Sequence, residues 1–71
     1  MTGLVKRSLA LSKHRTSVAL EAEFWAALVA IAAARGETLA ALVGRIDATR
    51  APTRPLASAL RVFALAERPR S

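Results

Sequence analysis

Between Leu9 and Leu20 the apolar residues alternate with small polar ones and then change phase. Leu9 and Leu11 stand at odd positions, whereas Thr16, Val18 and Leu20 stand at even ones. Successive side chains of a strand point to opposite faces, so one straight strand cannot bury both sets. Either a turn or bulge lies around Ser12-Lys13-His14, or the region 6–20 holds two strands. A hairpin pairing Leu11 with Thr16 and Leu9 with Val18 restores one shared apolar face. The other arrangement is a strand over 15–20 preceded by a basic flexible arm, and the sequence leaves both open.

Past Leu20 the period changes from two to that of a helix. Over 21–35 Phe24, Leu28, Ile31 and Ala32 recur at helical spacing, and Trp25 with Val29 widens the stripe. Alanine, the best helix former, fills the gaps. Glu21 and Glu23 favour the positive end of the helix dipole, and Arg35 favours the other. Gly36 then supplies a left-handed C-terminal cap. Thr38 is positioned to cap a second helix over 38–49, with Leu39, Leu42, Val43 and Ile46 as its apolar face. Pro52 and Pro55 end it. Pro55 suits the first turn of a third helix over 55–67, whose inner stripe is Leu56, Ala59, Leu60 and Phe63.

These elements make one domain, 1–71, mainly α with a short N-terminal β-ribbon. A chain of 71 residues without Cys has neither the size nor the disulfides that usually hold so small a fold together. Yet 54% of it is hydrophobic, which argues for a core completed by a second copy. The core or dimer-interface residues expected from these patterns are Val18, Leu20, Phe24, Trp25, Leu28, Ile31, Leu42 and Ile46.

Charge is unevenly placed along the chain. Residues 1–20 hold Lys6, Arg7, Lys13 and Arg15 with no acid, residues 21–47 are net −2, and residues 48–71 are net +4, for a total of +6. Two basic ends around a mildly acidic middle suit a polyanion such as DNA. Nothing points to an enzyme, a metal or a cofactor. His14 is the only histidine, and the glycines form no phosphate loop. The longest apolar-looking stretch, 24–34, is about half the length a bilayer needs. Neither this nor the basic N-terminus resembles a membrane anchor or a secretory signal, and the expected location is the cytoplasm.

The stretch Arg15-Thr16-Ser17-Val18-Ala19-Leu20, followed by Glu21-Ala22-Glu23-Phe24-Trp25 and then by Ala34-Arg35-Gly36-Glu37-Thr38-Leu39, resembles the ribbon-helix-helix superfamily of Arc-type and methionine-repressor-like proteins. With the later LASALRVFAL it looks like a bacterial branch of short members carrying an added C-terminal helix. The resemblance covers about residues 6–66. It implies an intertwined homodimer, in which two subunits pair their strands antiparallel and the helices bury the inner face. It also implies a transcriptional regulator of double-stranded DNA, most simply a repressor. Thr16, Val18 and Leu20 would then face inward, and Arg15, Ser17 and Ala19 would face the major groove. The start of the second helix, Thr38 and Leu39, would anchor a phosphate, with Glu37 competing for the same place. Lys6, Arg7 and Lys13 would add phosphate contacts. If 6–11 pairs with 15–20, the dimer's four-stranded sheet is wider than the ~12 Å major groove accepts. The alternative function is a protein-interaction module such as an antitoxin, holding a partner through the Leu60-Phe63 face of the third helix. Attachment to anionic lipid is the least supported, because the helices are alanine-rich and poor in aromatic anchors.

Overall fold

A computed structural model of the protein describes residues 3–11 and 14–67. The elements run in the order β1 (Leu4–Ala10), β2 (Arg15–Glu21), α1 (Ala22–Ala34), α2 (Leu39–Thr49) and α3 (Leu56–Glu67). The phase slip resolves as a hairpin. β1 and β2 pair antiparallel with Leu9 opposite Thr16, Arg7 opposite Val18 and Val5 opposite Leu20. The expected register, Leu11 with Thr16 and Leu9 with Val18, is therefore off by two residues. A slip of two keeps every side chain on its face, so the shared apolar face survives. In the observed register the ladder closes at Leu11, whose N–H donates to the His14 carbonyl at 2.8 Å. Apart from this register, the elements match those expected to within a few residues at their ends.

α1 ends as the Gly36 position requires. Gly36 has φ +70°, the Glu37 N–H donates to the Ala32 carbonyl at 3.0 Å, and the Gly36 N–H donates to Ala33 at 3.1 Å. This pair of bonds satisfies carbonyls that the helix end leaves without partners. α2 then leaves at 101° to α1. It is capped by Thr38, whose Oγ1 accepts the Ala41 N–H at 3.0 Å. After α2 the Arg54 N–H closes a turn onto Ala51 at 3.0 Å, and the Pro55 carbonyl accepts the first bond of α3, from Ala59, at 3.0 Å.

α1 and α3 pack on one face of the hairpin, α2 packs on both of these helices, and together they enclose a core. Leu20, Leu28, Leu42, Val43 and Leu60 are fully buried, and Leu9, Val18, Trp25, Ile31, Ile46, Ala59 and Ala64 nearly so. Each fully buried leucine stabilises the fold by roughly 1.5–3 kcal/mol. Phe24, Leu11, Leu39, Leu56 and Phe63 pack partly buried around them. Val29 departs from expectation: it is 43% exposed, because α1 turns Trp25, Leu28, Ile31 and Ala32 inward and Val29 lies outside that arc. α3 packs against α1, α2 and β2, and so supplies apolar surface to the four elements before it. The radius of gyration, 11.6 Å, is close to the about 11 Å expected of a folded domain this long. Among the described residues no single helix is long and apolar enough to cross a membrane.

Candidate nucleic-acid interface

The hairpin has a covered face and an open one, and alternation decides which residue goes where. The open face carries Lys6 opposite Ala19, Ser8 opposite Ser17 and Ala10 opposite Arg15. Lys6, Ser8, Arg15 and Ser17 are exposed, and Ala19 is half-buried. The two hydroxyls meet at 3.1 Å, Ser8 Oγ to Ser17 Oγ. The result is a floor of small side chains between Lys6 and Arg15, with Leu4 opposite Glu21 beyond the Lys6 end. Arg15, Ser17 and Ala19 thus share one outward surface, and β1 adds Lys6 and Ser8 to it.

Arg7 lies on the other face, because its opposite residue is the buried Val18. Its guanidinium sits over the Trp25 ring, 5.3 Å from the centroid. Trp25 also donates its indole N–H to the Val5 carbonyl at 2.7 Å. These two contacts fasten β1 to α1. A stacked cation of this kind contributes about 0.5–1 kcal/mol at an exposed site.

Four of the five acids are occupied elsewhere, and Glu23 stands exposed at the start of α1 with no ion pair among the described residues. Glu21, Glu37, Asp47 and Glu67 pair with Arg61 (3.0 Å), Arg45 (2.6 Å), Arg50 (2.8 Å) and Arg35 (3.1 Å). The Arg61 hydrogen bond, helped by a backbone one, holds the Glu21 carboxyl below its ordinary pKa. Lys6, Arg7, Arg15 and Arg54 have no carboxylate at ion-pair distance among the described residues. Three of these four stand on the hairpin, so the uncompensated positive charge concentrates there. Arg61 and Arg45 find their acids within the chain.

Thr38 and Leu39 do not belong to the hairpin; they stand at the start of α2. The Thr38 oxygen already accepts the Ala41 N–H. Glu37, which would repel an anion there, is bound to Arg45. Lys13 lies outside the described residues. Among the described residues no group of three or more His, Cys, Asp or Glu is placed to hold a metal ion. Sequence reasoning missed Ser8 and the Trp25–Val5 bond. Ser8 is detectable only once the register is known, and the indole bond has no local signal.

A family model described as a ribbon-helix-helix domain matches residues 4–67, nearly the whole chain. Neither the curated proteins nor the solved structures contain a match. With a ribbon, two helices joined through a left-handed glycine, and a third helix behind them, all inside the matched span, the chain belongs to the ribbon-helix-helix domain family.

Proposed function

We propose that this protein is a regulator of transcription, a repressor in the simplest case, that binds double-stranded DNA as a homodimer in the cytoplasm and needs no cofactor. Ribbon-helix-helix domains generally serve as DNA-binding regulators or antitoxins. One observation carries the DNA reading: the hairpin's open face holds Lys6 and Arg15 without carboxylate partners among the described residues, over a floor of serine and alanine. Arg15 pairs with a guanine edge, an interaction worth about 1–3 kcal/mol of discrimination. Ser17 accepts or donates to several bases, and Ala19 offers its methyl group only. The amides at Thr38 and Leu39 take a phosphate at the positive end of α2, and Lys13 adds a further backbone phosphate. Such a face gives modest sequence preference on top of strong electrostatic attraction.

A second copy adds at the edge of β2 that β1 leaves unpaired. The outward side of α1 presents Ala26, Val29 and Ala30, with Glu23 the one charged residue among its exposed positions. The antitoxin reading is weaker, because the face assigned to a partner is used internally. Leu60 is fully buried, and Phe63 lies under the Arg35 guanidinium at 5.3 Å. What α3 leaves outward is Val62 and Leu65.

Gel-shift titration of a duplex at two salt concentrations tests the reading, with sedimentation equilibrium reporting the dimer. The expected outcome is salt-sensitive binding that Arg15→Ala weakens about tenfold or more, in line with removal of a bidentate pair of hydrogen bonds. No binding at low salt would sink it.

A further inference from the structure

Lys6 and Arg7 are neighbours in sequence and equal in charge, yet the fold sends them to opposite faces of the hairpin. Arg7 stacks on Trp25, whose indole also holds the Val5 carbonyl two residues back along β1. Lys6 stands between these two fastened residues and therefore points outward, beside Ala19. Alanine leaves its ammonium unobstructed, and no carboxylate among the described residues pairs with it.

We propose that β1 forms the rim of the DNA-binding face, where Lys6 clamps the sugar-phosphate backbone, while Arg7 touches no DNA and positions Lys6 by locking β1 onto Trp25. The inference rests on the DNA reading above. Its physical basis is width. With β2 paired to its twin, the sheet runs β1, β2, twin β2, twin β1. Three strand spacings put the outer strands about 14 Å apart. The major groove is ~12 Å wide, so the two central strands enter it and the outer strands ride over its walls. The walls are phosphate, and Lys6 is the cation that β1 turns toward them. Arg7, on the covered face, is on the wrong side of the sheet to reach them.

The test compares Lys6→Gln, Arg7→Gln and Arg15→Ala on two unrelated duplexes across a salt series, with thermal unfolding measured in parallel. Lys6→Gln is expected to weaken binding equally on both duplexes. It should also flatten the slope of log affinity against log salt by about 0.9 for each phosphate that the variant no longer neutralises, without moving the unfolding temperature. Arg7→Gln is expected to lower the unfolding temperature. Arg7→Lys, which keeps the charge and part of the stacking, should recover part of the lost unfolding temperature. If Lys6→Gln leaves affinity and slope unchanged while Arg15→Ala weakens binding, the inference is wrong and the DNA reading stands. If Arg7→Gln flattens the slope as Lys6→Gln does with no drop in thermal stability, Arg7 itself binds DNA and the inference is wrong. Failure of the unaltered protein to bind either duplex at low salt removes both.

Discussion

Gly36 shows how one residue can decide a fold and still be visible in the sequence. Its φ of +70° lies where a side chain is strained, although an added Cβ would meet nothing within 4 Å. The cost of Gly36→Ala is therefore one of backbone conformation alone, about 1–2 kcal/mol. Urea unfolding should show it as a lower midpoint with an unchanged slope, and Gly36→Asn should cost less, since Asn tolerates this region. Gly36 and Thr38 were legible because caps are local: each answers to residues three to five positions away. Arg7 was not. It counts as one more cation in the basic N-terminal segment until the strand register assigns it to the side of Val18 and Trp25. A charge seen in sequence carries no address, and the pairing of two strands supplies it.

At the scale of elements, periodicity gave the order strand region, helix, helix, helix, and the phase slip gave a reason for a hairpin. The exact pairing stayed out of reach because two registers differing by two residues satisfy the same alternation. Ties between distant elements were equally hidden. Glu21 ends β2 and is bound by Arg61 of α3, whose guanidinium also lies 5.9 Å from the Phe24 ring centroid. That hydrogen bond keeps the folded carboxyl below its ordinary pKa, so the tie is in force at neutral pH, above the carboxylate range of the unfolded chain. It is lost as pH falls through the lowered folded value. Glu21→Gln should accordingly remove part of the protein's acid sensitivity, read as a flatter dependence of the urea midpoint on pH below the carboxylate range. It should also loosen α3, detectable as faster amide exchange at its N-terminal half.

At the scale of the whole molecule, one chain encloses a core of its own. α3 brings Leu60, Ala59 and Ala64 into the space over β2 and between α1 and α2, and the interior closes in one chain. Leu60→Ala should cost about 2–5 kcal/mol, the range for a leucine with nowhere to collapse, and on a domain this small that approaches its entire stability, which the urea midpoint would report. Composition alone could not show this, because it counts apolar residues without saying how many one copy can enclose. The hairpin, built from two strands joined by a short turn in the same chain, also sets how the molecule comes into being. Neither the ribbon nor the interior requires a collision between two chains. Refolding should therefore be first order, with a rate that stays constant when protein concentration is raised about a hundredfold, and fast, because most partners are near in sequence. Association would then follow as a separate, slower phase between preformed molecules, so newly made protein would exist first as a folded single subunit and acquire its full grip on DNA only as its concentration rises.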